Sequence, residues 1–395
     1  MKKIFLYIMI VGSVLSLNSC LEEISSEASL DASSKLAEDD VNKLLVGLYR
    51  KVRHPNSYGY FAVMATEIMA DNYKPVKFQW FQVQNIYEHN VPSNDLLLRN
   101  LYVDFYAGID RANTILKSPS ANKDQKGKAK FYRAYTYLRL FDLYERVPII
   151  DENYNRQPIA PSSKEDVLNF IIEDLKYGKE NMVEFDGKNV GLSSKVPTKE
   201  AAAALLARVY RLKGDLAAAA NEAEYVIGTN KFSIAQNPKE RDSEVITMLK
   251  GNKAEEAGSW GWIMSYESRT WNCFAAADDL LNLISDNDTR RALFDFDKKD
   301  ERNGYVFSNK YKTQDNSDLL VVRIPEMYLI SAEAGNTNRL RELQNIRNST
   351  LSLEDERRLE MSFEWTRWQD LKLSKKQDYV LPYPQQAVDS NPLLK

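Results

Sequence analysis

The stretch "TKEAAAALLARVYRLKGDLAAAANEAEYVI", Thr198 to Ile227, decides the fold. It reads as two helices joined at Gly214-Asp215, bounded by Pro197 before and Gly228 after. Ala203, Ala207 and Ala219 carry only methyl groups, so the two backbones can approach closely, while Leu206 and Tyr210 fill the space beside them. One such pair cannot bury its own apolar face, which predicts further helices stacked on it.

The candidates for those neighbours are the segments 96–117, 126–145 and 163–180. Leu98, Leu101, Tyr102, Phe105, Ile109, Ala112 and Leu116 recur with helical spacing. Phe131, Ala134, Tyr135, Leu138 and Phe141 form another stripe, with Pro148 beyond its end. Ser163 and Asp166 have capping-box spacing ahead of Val167, Ile171 and Leu175. The spacing at 198–227 resembles a tetratricopeptide unit, a partial match because Ala223 stands where an aromatic is usual. Toward the C-terminus, "RIPEMYLISAEA" runs to a Gly335-Asn336 break and "RLRELQNIRNS" forms a short helix. A third helix is predicted from about Ser352 to Lys372. In it Arg357/Glu360 and Glu364/Arg367 face each other three residues apart, as surface pairs or as a buried network. The segment from Tyr379 onward reads as extended and punctuated by prolines.

The N-terminus sets location. Lys2 and Lys3 precede an apolar run from Ile4 to Leu17 that closes on Leu17-Asn18-Ser19-Cys20. Such a run, about 21 Å as a helix, is too short for a hydrocarbon core of ~30 Å, and the layout is that of a secretory signal. The tetrapeptide resembles a bacterial lipobox, in which the cysteine is lipidated. The expected organisation is a signal peptide at 1–19, a lipidated flexible spacer at 20–35 rich in Ser, Ala, Glu and Asp, and a helical domain at 36–395.

Composition removes other chemistries. Losing two lysines with the signal moves the formal charge from −3 to −5. No basic stretch suggests nucleic acid, and Lys123 to Lys130 reads as a solvated inter-helix turn. Beyond Cys20 the one thiol is Cys273, so the mature chain forms no intramolecular disulfide. His54 and His89 are the two histidines and lack metal-ligand spacing; neither a G-x-S-x-G elbow nor a phosphate loop is present. No cofactor is implied. Asp286, Asp288, Asp295 and Asp297 lack the glycine and glutamate of a calcium loop and read as a solvated turn. A carboxylate pair for glycoside hydrolysis stays open, since sequence does not give the separation.

Taken in order, five places resemble the SusD/RagB family of surface glycan-binding lipoproteins. They are the lipobox with Glu22-Glu23 behind it, Tyr106-Ala107-Gly108-Ile109 through Asn113, "AKFYRAYTYLRLFDLYERVPII" at 129–150 and "VPTKEAAAALLARVY" at 196–210; the fifth is the C-terminal set "RIPEMYLISAEA", "ERRLEMSFEWTRWQDLK" and "LPYPQQAVDSNP". The resemblance implies a mainly α fold, with a tetratricopeptide-like helical scaffold and irregular ligand-bearing loops. It implies a lipid anchor on the outer face of an outer membrane, a TonB-dependent, SusC-like transporter as partner, and no catalysis. The chain is short for the family, with helices at 326–348 joined by almost nothing where relatives carry a longer stretch.

Two aromatic clusters fall outside clean helical periodicity. The first is Tyr73, Phe78, Trp80, Phe81 and Tyr87, with Asn72, Gln79 and Gln82; the second is Trp260, Trp262, Tyr266 and Trp271, with Arg269. A flat ring covers the C–H face of a sugar, and ~50–80 Å² so covered contributes about 1–2 kcal/mol. Three platforms with a few hydrogen bonds reach roughly micromolar to millimolar affinity. Tyr73, Trp80, Phe81, Trp260, Trp262, Tyr266 and Trp271 are the candidate ligand contacts, against the alternative that these rings pack loops onto the scaffold. The leading expectation is capture of an oligosaccharide. A helical-repeat protein-interaction module, a peptide-binding family member and a surface hydrolase are the alternatives.

Overall fold

Asp95, Asn122, Ser163, Thr198 and Asp215 each open a helix in the same way, a side-chain oxygen accepting an otherwise orphaned N–H of the first turn. The computed structural model describes residues 38–53, 61–78, 80–187, 196–250, 274–311 and 318–395. The expectations at 1–19, 20–35, His54, Gln79, Trp260, Trp262, Tyr266, Arg269, Trp271 and Cys273, and at Cys20 itself, lie outside those residues.

In chain order the elements begin with α1 (Glu38–Val52), α2 (Phe61–Met69), β1 (Tyr73–Pro75), α3 (Phe81–Tyr87), α4 (Leu96–Lys117) and α5 (Lys123–Tyr144). Then come α6 (Lys164–Asn181), α7 (Lys199–Lys213), α8 (Leu216–Gly228), β2 (Val245–Leu249), β3 (Phe274–Ala276) and α9 (Asp278–Leu281). The last are β4 (Leu319–Arg323), α10 (Ile324–Glu333), α11 (Thr337–Arg347), α12 (Leu353–Glu360), α13 (Arg367–Leu373) and α14 (Gln385–Ser390).

The scaffold is a file of helices packed side by side: α1 on α4, α4 on α5, α5 on α6, and so through α7, α8 and α10 to α11. The fold is mainly helical, as the periodicity predicts, and the stripes read from sequence line its core. Gly214 turns α7 into α8 at φ 84, a left-handed conformation that suits glycine. Ala203, Ala207 and Ala219 are fully buried at that junction. Two small antiparallel sheets accompany the helices, β1 with β3 and β2 with β4.

Four expectations about the scaffold's elements need correction. Lys123 to Lys130 is not a turn but the first two turns of α5, because Asn122 and Gln125 form a reciprocal capping box. Gly127 lies inside that helix where α6 ends: a Cβ there would meet Met182 Cγ at 2.7 Å. The four aspartates are not one solvated turn, since Asp288 and Asp295 are buried and hold Arg290 and Arg302. The C-terminal segment stays extended only to Pro384, after which α14 forms.

The fourth correction concerns the helix expected from Ser352 to Lys372. It stops at Glu360, turns through Phe363 and Trp365 at φ 64 and 50, and resumes at Arg367 as α13. Neither three-apart pair forms: the break parts Glu364 from Arg367, while Arg357 and Glu360, both in α12, take other partners. Arg357 instead bonds Asp370 at 2.9 Å, and Arg367 bonds Asp71 at 2.6 Å. Glu360 takes Arg323 at 3.0 Å and Arg347 at 2.9 Å, while Glu364 takes Arg323 at 2.8 Å and also Lys310. These groups are buried, so the network alternative describes them. Burial alone would raise the Glu360 carboxyl, but Arg347, Arg323 and Arg290 outweigh it and hold it well below the usual range.

The same segment closes the molecule against its N-terminal half. Trp368 donates its ring N–H to the Asp142 carbonyl at 3.0 Å, Leu381 N–H bonds Leu143 O at 2.8 Å, and Gln385 N–H bonds Ser93 O at 2.8 Å. Tyr379 stacks on His89 with centroids 4.8 Å apart, and His89 Nε2–H donates to the Met69 carbonyl at 3.0 Å. That histidine is thereby committed to packing.

Candidate functional site

The first aromatic cluster is mounted on a fixed base. Past α2 the chain passes Asp71 and Asn72, and three contacts clamp it there. Arg367 grips the Asp71 carboxylate with two nitrogens at 2.6 and 2.7 Å. Arg358 bonds the Asp71 carbonyl at 2.9 Å and Asn72 Oδ1 at 3.2 Å. Partial burial would raise the Asp71 carboxyl, but the Arg367 bond and charge bring it below its ordinary value. β1 then pairs antiparallel with β3, Tyr73 opposite Ala276 and Pro75 opposite Phe274.

Tyr73, expected among the ligand contacts, is buried instead, with 4% exposed. Its ring lies 4.4 Å from that of Phe363 and 6.1 Å from that of Phe274. It supports the site from beneath, because its position in β1 points it at the turn that breaks the C-terminal helix. Phe78 packs between Tyr87 and Phe274 at 5.7 and 6.1 Å. Both rings are engaged with other aromatics of the cluster.

Trp80 and Phe81 follow at the start of the next helix. Trp80 is the N-cap of α3 with extended backbone, and Phe81 is the first residue of that helix, 65% exposed. The cluster is therefore partly helical, since seven residues from Phe81 to Tyr87 form α3. Trp80 lines an open cleft of about 220 Å³ together with Gln82, Val83 and Leu97. A half-buried indole, an exposed phenyl ring and one amide on an anchored turn can cover a ring's apolar face and bond its rim. Leu97 was not among the sequence candidates, although Leu96-Leu97-Leu98 carries a signal: three consecutive leucines cannot all face one core. Leu98 is buried, Leu97 half-buried and Leu96 61% exposed.

The second cluster lies outside the described residues, but the ends of its segment are placed. Lys250 N–H bonds the Tyr49 hydroxyl at 2.9 Å, and Arg53 bonds the Lys250 carbonyl at 3.2 Å. At the other end, Phe274 pairs with Pro75, five residues before Trp80. Strand pairing thus joins the described end of the second segment to the base of the first cluster. Among the described residues, no group of three or more His, Cys, Asp or Glu could hold a metal ion.

Comparisons with known proteins bear on this arrangement. The sequence model of the SusD-like family, described as "Starch-binding associating with outer membrane", matches residues 13–211, half of the chain. A SusD-like protein of Bacteroides ovatus is 22% identical over 444 residues, covering 90% of this chain and 79% of that one. SusD-like protein P2 of Formosa agariphila is 32% identical over 145 residues, 34% of this chain, and the match spans only 28% of that relative's length. A solved laminarin-binding SusD-like protein superposes with TM-score 0.76 at 19% identity, covering 90% of this chain and 98% of that one. On a stacked-helix scaffold shared with that solved structure, a family match over half its length shows that this chain belongs to the SusD-like family, described as starch-binding and associating with the outer membrane.

Proposed function

We propose that this protein captures a glycan at the cell surface and delivers it unaltered to a TonB-dependent, SusC-like outer-membrane transporter. The observation that carries the reading is the half-buried Trp80 lining an open cleft, with exposed Phe81 next to it, on a base clamped by Arg358 and Arg367. A platform that is rigid before binding loses little freedom when a ring settles on it. Trp260, Trp262, Tyr266 and Trp271 add further platforms in this reading. Support comes from the pairing of Pro75 with Phe274, which ties the end of their segment to the same base. Family membership and a laminarin-binding relative of the same fold support a glycan as cargo. The anchor is a lipidated Cys20 following a signal peptide at 1–19, with 20–35 as spacer and 36–395 as the binding domain. Among the described residues no helix is long and apolar enough to cross a membrane.

The test is titration of the purified protein against starch, laminarin, xylan, pectin and a peptide library by affinity gel electrophoresis and calorimetry. At least one glycan should bind in the micromolar to millimolar range. The Trp80→Ala/Phe81→Ala double variant should lose at least tenfold in affinity, about 1.4 kcal/mol, while still unfolding cooperatively and keeping its helical circular dichroism. Unchanged glycan affinity in that variant would remove the cleft from the binding surface. Binding of peptides alone would overturn glycan capture.

A further inference from the structure

A second concavity flanks the first turns of α4, the helix whose Leu97 borders the Trp80 cleft. Arg99, Tyr102, Val103 and Tyr106 line it from α4, the 148–159 loop forms another wall, and α14 with Leu394 closes the third side. It holds about 400 Å³, within the ~300–1,000 Å³ range of small-molecule sites and nearly twice the 220 Å³ of the Trp80 cleft.

The walls are rings and branched chains, and most of their polar atoms are spent internally. Tyr106 donates its hydroxyl to the Pro148 carbonyl at 2.9 Å, Tyr154 to the Gln157 carbonyl at 2.8 Å, and Asn391 its amide to the Ile159 carbonyl at 2.8 Å. Such a surface offers a polyol few partners. It offers an apolar body many.

Charge narrows the class. Arg99 and Arg156 both line the groove and are exposed, and none of the lining residues is acidic. The Arg99 guanidinium bonds only the neutral Asn100 side chain among the described residues, at 3.2 and 3.3 Å. Of the loop's two acids, Glu152 is turned inward onto Arg133 at 2.6 Å, and Asp151, which does not line the groove, accepts the Asn153 N–H at 2.8 Å. Arg156 sits at φ 64, a left-handed backbone conformation uncommon for arginine. Two uncompensated guanidinium forks beside an apolar trough are complementary to a carboxylate carried on a hydrocarbon body.

We propose that this groove is a second ligand site, separate from the Trp80 cleft, for a small apolar carboxylate. An aromatic or branched hydrocarbon body lies against Tyr102 and Val103, and its carboxylate meets Arg99 and Arg156.

The test uses the full chain in lipid nanodiscs, titrated calorimetrically at low salt with 3-phenylpropionate and with its neutral amide. The acid should bind saturably and the amide at least tenfold more weakly. Arg99→Gln and Arg156→Gln should each weaken the acid about five- to tenfold and leave the amide unchanged. Val103→Glu should abolish binding of both. All three side chains are exposed, so melting temperatures should match the wild type. The Trp80→Ala/Phe81→Ala variant should bind the acid normally, which separates this site from the glycan cleft. Equal affinity for acid and amide, no saturable acid binding, or insensitivity to both arginine changes would each overturn the proposal, as would loss of acid binding in the Trp80/Phe81 variant.

Discussion

Replacing Glu67 by glutamine should flatten the decline in stability as pH rises from about 4.5 to about 8. Glu67 is fully buried in α2, and one of its oxygens accepts the Trp365 backbone N–H at the turn that breaks the C-terminal helix. Burial pushes its carboxyl up from 4.5 to about 8, with Asp71 and Glu364 adding to the rise and the Trp365 bond and Lys310 opposing it. Below 4.5 both the folded and unfolded chains carry this proton, so stability there is unaffected. Between 4.5 and 8 only the folded state keeps it, and stability falls by about 1.4 kcal/mol per pH unit. The whole window is worth roughly 3 to 5 kcal/mol, and the loss is complete once pH passes the folded value. Glutamine keeps the acceptor for Trp365 and removes the titration. Urea unfolding of both proteins at pH 4, 5.5, 7 and 8.5 should therefore show a gap that opens with pH in favour of Glu67→Gln. Lys310, pushed down to about 8 by burial, titrates at the top of that window, so the slope is cleanest below pH 7.5. A gap of constant size across pH would refute the assignment of a neutral Glu67.

Arg323→Ala should cost about 3–5 kcal/mol, because Glu244, Glu360 and Glu364 would keep their burial and lose a shared cation; a chemical denaturation curve measures it. Gly127→Ala should destabilise by about 1–3 kcal/mol in the same assay. The added methyl meets Met182 at Cγ, near the root of that side chain, so the methionine must turn to another rotamer or the helices must shift apart. Cys20→Ala should move the protein from membrane to soluble fractions, and retention in the membrane would remove the lipid anchor from the proposed function.

Regular structure was the legible part. The segment 96–117 emerges with the same limits as its stripe, and Gly214 and Ser163 mark the ends that their chemistry suggests, since these features depend on neighbours in sequence. What escaped depends on distant neighbours. The charged stretch at Lys123 resembles solvent-facing chain until α6 is seen against Gly127. Phe363 and Trp365 take left-handed backbone that neither prefers locally, and burial of both rings holds them there. Tyr73 and Trp80 look alike as aromatics in a polar stretch, yet one faces Phe363 and the other a cleft. The arginine-rimmed groove had no signal in sequence, because its three walls come from residues some fifty and three hundred positions apart along the chain.

The closure of residues 365–385 over α2, α4 and α5 has a consequence for how the chain is made. Trp365 and Trp368 fill space among helices that leave the ribosome several hundred residues earlier. Until those tryptophans arrive, the early helices have an incomplete interior, and the contacts that finish it span most of the polypeptide, the kind that form slowly. Stable folding therefore waits for the distal segment, and a chain held open that long stays threadable through a translocation channel.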